Sequence, residues 1–99
     1  MSENTAVLVC EDCTTQRRQD WQRKNKKTQI RQGDLVKIAF RQNGHVEWMW
    51  IEVEHDLGDT KLEGTLINDP VLVDYIKKGQ TFTFYRAEIA DLVWKEHRP

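Results

Sequence analysis

The sequence predicts an α+β domain that is mainly antiparallel β, a small bent sheet or SH3-like barrel of four to five strands with an N-terminal helix. Three observations predict it. Several short stretches alternate apolar and polar side chains with a period of two, Gly-containing turn signals separate them, and a basic stretch free of Gly and Pro precedes them all. At 99 residues, 38% hydrophobic and 31% charged, the chain can fill one core and is too short for two. The expected organisation is therefore a single domain over 1–99, with an N-terminal segment 1–32 that holds the basic helix and a β-rich core over 33–94.

Residues 14–29, TTQRRQDWQRKNKKTQ, are good helix formers, and the Thr pair at their start can act as N-cap. Apolar side chains are scarce on this helix, so it must dock through Trp21 or fray. After the turn signal Gln32-Gly33-Asp34, the run LVKIAFR places Val36, Ile38 and Phe40 on one strand face. Asn43-Gly44 is the pair most favoured in tight hairpins, because both positions tolerate positive φ. The returning strand, HVEWMWIEVEH, puts Met49, Ile51 and Val53 on one face and Val46, Trp48 and Trp50 on the other. Both faces are thus apolar at mid-strand, and one of them must pack on something beyond the sheet.

Leu57-Gly58-Asp59 marks the next turn, and TKLEGTLIN a third strand with Leu62, Gly64 and Leu66 together and Gly64 at a bend or bulge. Pro70 ends it. VLVDYIKK then suits a short helix or helical turn closed by Gly79. TFTFYR is a fourth strand with Phe82 and Phe84 inward, and IADLVW supplies a fifth. An open sheet with the helix on one face is the alternative to a barrel.

The net charge of −1 hides a segregation. Residues 17–41 carry nine Lys or Arg against Asp20 and Asp34, whereas 42–74 carry eight acids against Lys61. Such a split predicts either pairing of the two halves within the fold or a partner that reads one face. No stretch approaches the roughly 20 apolar residues of a membrane span, and the start MSENTAVLVCEDC lacks the basic region of a secretory signal. A cytoplasmic protein is expected.

Catalytic signals are sparse. No P-loop, GxGxxG or nucleophile elbow occurs, and Glu47, Glu52, Glu54, Asp56, Asp59 and Glu63 read as a solvated charged surface. Cys10 and Cys13 form one CxxC, while His45, His55 and His97 lack the spacing that would complete a zinc site. No metal and no cofactor is expected, and the chain is read as no enzyme. Asn68 and Asp69, at a strand end before Pro70, are the most site-like pair. Turn chemistry, in which such side chains bond nearby backbone N–H groups, is the favoured account of them.

The runs GDLVKIAF, VEWMWIEV, GTLINDP and KKGQTFTFYRAEIADLVW resemble the bacterial family of domain of unknown function 2314, the YegJ-like proteins, over roughly residues 33–94. Glu47, Met49 and Trp50 match its central strand; Gly64, Asn68 and Pro70 match the next; Gly79, Ile89 and Asp91 match its last turn and strand. Trp48 stands where that pattern would have a histidine. The resemblance leaves out the CxxC and the basic helix, and it implies the β-rich fold without implying a chemistry.

These readings converge on a non-enzymatic binding module that engages a protein partner or self-associates. Its candidate binding residues are Trp48, Trp50, Asn68, Asp69, Trp21, Arg23, Lys24 and Lys27. Two other functions fit the sequence: nucleic-acid binding through the basic segment 17–31, with Trp21 stacking on a base, and small-ligand binding in a pocket at a subunit or helix–sheet interface.

Overall fold

A computed structural model describes residues 16–98, the side chain of Arg17 excepted. The N-cap threonines and the CxxC lie outside the described residues. In chain order the elements are α1 (Gln16–Lys24), β1 (Leu35–Gln42), β2 (His45–Gly58), β3 (Lys61–Leu66), β4 (Thr81–Tyr85), a 3₁₀ turn (Arg86–Glu88), β5 (Asp91–Val93) and a second 3₁₀ turn (Lys95–His97). The strands form one antiparallel sheet in the order β4-β3-β2-β1-β5. Its two ends do not pair, so the architecture is the bent open sheet and not a barrel.

The period-two pattern sets the faces. Val36, Ile38, Phe40, Met49, Ile51, Val53, Leu62, Leu66, Phe82 and Phe84 form one core, with Ile30, Val73, Ile76 and Ile89 packed over them from the connections. Phe40 and Phe82 meet edge to face at 5.5 Å, and each fully buried aromatic of this kind contributes roughly 1.5–3 kcal/mol of burial. Two-residue turns join the hairpins. Asn43 and Gly44 (φ 52° and 79°) make the expected one, whereas the second uses Asp59 and Thr60 (φ 52° and 63°), a left-handed conformation that a β-branched residue rarely adopts. Gly64 is required by close approach. A Cβ there would lie 2.6 Å from Ile51 Cγ2 and 2.7 Å from the Glu52 carbonyl, beside the register shift between Val53 and His55.

Helix α1 docks on the core side through Trp21, as expected of it, but it stops at Lys24 instead of running to 29. Asn25 follows its last residue: its N–H makes the final i→i−4 bond to the Trp21 carbonyl at 3.0 Å, and its side-chain amide takes the same carbonyl at 2.9 Å, a local side-chain bond of the kind that favours helix termination. Arg18 donates to the Ala87 carbonyl, Gln22 to the carbonyls of Arg86 and Ile89, and Arg86 in return to that of Asn25.

The segment 70–78 is not the helical turn its sequence suggests. The Glu47 carboxylate accepts the N–H groups of Val71, Leu72 and Val73 at 2.8–3.3 Å, and Gln42 accepts that of Asp74 while donating to the Asp74 carboxylate. Side chains of β1 and β2 thereby satisfy donors that a helix would have used internally. Glu47, read above as solvent-facing, is in fact the anchor of this connection. At the other end of the sheet the fully buried Asp34 accepts the N–H groups of Arg31 and Lys95, both at 2.8 Å. Arg31 grips Glu96 with one nitrogen on both oxygens, and Arg98 bonds the Gly33 carbonyl.

Candidate functional site

With the core, α1 and the 70–78 connection on one face, the opposite face carries Val46, Trp48 and Trp50. Hairpin register places Arg41 opposite Val46, Ala39 opposite Trp48, Lys37 opposite Trp50 and Leu35 opposite Glu52. Ala39, 2% exposed, packs with Val46 and Trp48 as a second apolar cluster separate from the main core. Both indoles are half-buried, lying over small or aliphatic neighbours, and the Lys37 ammonium sits 5.4 Å from the Trp50 ring centre in a cation–π contact.

The backbone under Trp50 is fixed from the β3 side. Ile67 N–H reaches the Trp50 carbonyl at 3.2 Å, and the Asn68 side-chain oxygen accepts the Trp50 N–H at 2.5 Å. Asn68 therefore acts as a ladder rung made of side chain, extending β3 pairing beyond its last strand residue. That is the turn-chemistry reading, put to use in positioning an aromatic.

Farther along the same face the character turns acidic. Glu52 meets Arg98 at 3.2 Å, Thr65 donates to Glu54 at 3.4 Å, and the Thr65 and Thr81 hydroxyls lie 3.1 Å apart. The face thus carries its cations, Lys37 and Arg41, on β1 alongside the aromatic stretch of β2, and its carboxylates beyond Trp50 at the Glu52–Glu54 end.

The other candidates lie elsewhere. Trp21 is packed against the main core with the Arg86 guanidinium 5.9 Å over its ring, on the side away from Trp48 and Trp50. Arg23, Lys24, Lys26 and Lys27 are exposed, and Arg23 pairs with Asp20 at 2.9 Å. A hydrogen bond from Gln16 is the largest influence holding the Asp20 carboxyl below its ordinary value, with Arg23 adding to it. Ion pairs of the basic segment run to Asp20, Asp34 and Glu96. Asp69 is exposed and borders an open hollow of about 400 Å³ with Val73, Asp74, Ile76 and Lys77. A second hollow, about 300 Å³, lies between the linker at Thr28–Ile30 and the Asp59–Thr60 turn, with Arg86 in its wall. Among the described residues no three His, Cys, Asp or Glu side chains converge, and no helix is long and apolar enough to cross a membrane.

Sequence reasoning missed Glu47. Burial raises its carboxyl, but the three backbone N–H groups outweigh that and hold it below the ordinary carboxylate value. Parity was the available signal, since Glu47 shares the face of Met49, Ile51 and Val53. A charge continuing an inward stripe needs a partner at the rim. What it fixes is a connection that exposes Val71 and Leu72 to solvent, at 83% and 49%.

No curated protein and no solved structure matches the chain. A family model matches residues 12–98, so the likeness extends past 33–94 at both ends and takes in α1 and Cys13. By that match the chain belongs to the family described as uncharacterized protein conserved in bacteria, DUF2314.

Proposed function

We propose that the chain is a non-enzymatic protein-binding module of the cytoplasm whose working surface is the open sheet face at Val46, Trp48 and Trp50. The observation that carries this reading is the partly exposed aromatic pair on the face opposite the core, held in place by Asn68 and backed by Ala39. Tryptophans on rigid strands, flanked by charge, are the side chains from which protein interfaces draw most of their binding energy. Lys37 on Trp50 and Arg41 beside Val46 put positive potential next to the indoles, so the partner is a protein segment that presents apolar side chains beside carboxylates.

Selection from a random dodecapeptide library on the wild-type domain, with a Trp48→Ala/Trp50→Ala variant as counter-target, tests it. The expected result is enrichment of peptides that pair apolar residues with Asp or Glu and bind either single Trp variant at least tenfold more weakly. Peptides that bind the variant equally well, or no enrichment, would refute the reading.

Nucleic-acid binding through the basic segment is the second reading, favoured by the exposure of Arg23, Lys24, Lys26 and Lys27. It has lost its aromatic, because Trp21 is occupied by the core and by Arg86. Submicromolar, salt-sensitive binding of a mixed-sequence oligonucleotide, abolished when those four residues become Gln, would put it first.

A further inference from the structure

The two edges of the sheet are finished differently. On the β1 side, β5 pairs with Leu35–Lys37, Ala90 N–H bonds the Lys37 carbonyl, and beyond that a backbone hydrogen bond joins Arg41 to the Tyr75 hydroxyl. That edge is closed by short pieces of chain, the usual protection against strand addition. On the β4 side none of the described residues builds anything of the kind. The strand reads TFTFY, with no charge, no proline and no bulge against β3.

The hydrogen-bond phase of β4 shows which groups it offers. Gln80 accepts from Leu66 N–H, and Arg86 N–H donates to Thr60. Alternation between these two points turns Phe82 and Phe84 toward β3 and directs the backbone groups of Thr81, Thr83 and Tyr85 outward. Glu88 takes the Tyr85 N–H at 2.8 Å. Thr81 and Thr83 are left with a complete outward pair of donors and acceptors.

From this we infer that β4 is a self-pairing edge: a second copy of this chain adds antiparallel about a two-fold axis at Phe82, joining two five-stranded sheets into one of ten strands. In that register Thr81 of each copy exchanges both N–H···O bonds with Thr83 of the other, and pairing stops there, because the next pair, Tyr85 with Gly79, would need N–H groups that Glu88 and the Leu66 carbonyl already hold. The register centred on Thr83 is excluded, since it needs the Tyr85 N–H that Glu88 holds. The directly opposed open-face side chains are threonines, which pair well across antiparallel strands and carry no charge to repel. Because the axis is perpendicular to the sheet, both open faces point the same way, and the dimer presents two Trp48–Trp50 pairs on one continuous surface.

Sedimentation velocity from about 5 to 500 µM decides it, the range suited to so small an interface. The mass is expected to climb from 11.8 kDa toward twice that value, while amide exchange at Thr81 and Thr83 slows at least tenfold across the range. Thr83→Pro, which deletes one outward N–H at an edge position, should stay monomeric. Should it fail to fold, Thr81→Lys/Thr83→Lys serves instead, by setting like charges directly opposite each other. Trp50→Ala should dimerise normally, so this inference and the reading of the Trp face stand or fall separately. A wild type monomeric throughout, a double-Lys variant that dimerises like wild type, or protection that rises only around Trp48 and Trp50 would overturn the proposal.

Discussion

Replacing Glu47 tests whether one carboxylate holds the connection that roofs the core. It accepts three backbone N–H groups; those of Val71 and Leu72 sit in exposed residues and can turn to water, whereas Val73 is 4% exposed and its N–H would lose its partner. A hydrogen bond to a charged group is worth about 1.5–3 kcal/mol when the freed partner stays buried. Counting one such bond fully and the exposed pair little, Glu47→Ala should cost about 2 kcal/mol, which for a domain of this size lowers Tm by about 8–16 °C. Glu47→Gln keeps an acceptor without the charge and should lose about half as much.

The pH dependence gives a second handle. The folded-state pKa of Glu47 lies below its ordinary value of 4.5, so its contribution is fully present above that value and is lost as pH falls through the depressed one. Thermal melts of wild type and Glu47→Gln from pH 7 to pH 3 should therefore converge at the acid end. Glu52→Gln, which removes an ion pair with the partly exposed Arg98, serves as control at about 0.5 kcal/mol. A Glu47→Gln gap that persists undiminished at pH 3, or a Glu47→Ala variant as stable as the control, would refute the reasoning.

Three further substitutions probe positions with distinct physics. Gly64→Ala should destabilise by about 1–3 kcal/mol in urea unfolding, because its Cβ meets the Glu52 backbone as well as Ile51 and the backbone cannot step aside. Thr60→Gly should do the opposite, raising stability by about 1 kcal/mol through relief of a left-handed β-branched residue, with Tm rising by about 4–8 °C. Asp34→Ala should cost about 3 kcal/mol or more, since it strands the Arg31 and Lys95 N–H groups together, and a drop in near-ultraviolet circular dichroism should accompany the loosening, because Trp94 precedes Lys95 and has the Arg31 guanidinium 5.6 Å from its ring centre.

The sheet was legible because its signals are local. Alternation alone separates Val36, Ile38 and Phe40 from Lys37 and Ala39, and the Asn43-Gly44 turn fixes the register that brings Lys37 opposite Trp50. Connections were less legible. The run VLVDYIKK before Gly79 reads as a helical turn, yet two β-strand side chains 25 and 32 positions away supply the acceptors that decide the backbone path. Asp34 looked like a turn residue and is one, but its burial depends on Lys95, sixty-one residues on. Parity likewise showed that Val46, Trp48 and Trp50 form a second apolar face without showing which face the rest of the chain would cover. Burial is a long-range property, and a single strand does not encode it.

The anchoring of α1 has a kinetic consequence. Nine residues are too few for a helix to persist alone in water, and the partners that hold this one, Ala87, Arg86 and Ile89, come more than sixty residues later. The two central hairpins need only their own turns to begin. Folding is therefore expected to run from the middle of the chain outward, with α1 arriving after β4 has delivered Arg86, so that substitutions in α1 should change the unfolding rate and leave the folding rate nearly unchanged. Run backward, the same hierarchy makes α1 the first element to come away: it opens in a sub-global step beneath the main unfolding event, briefly offering trypsin the Arg23 and Lys24 bonds while the sheet is still intact.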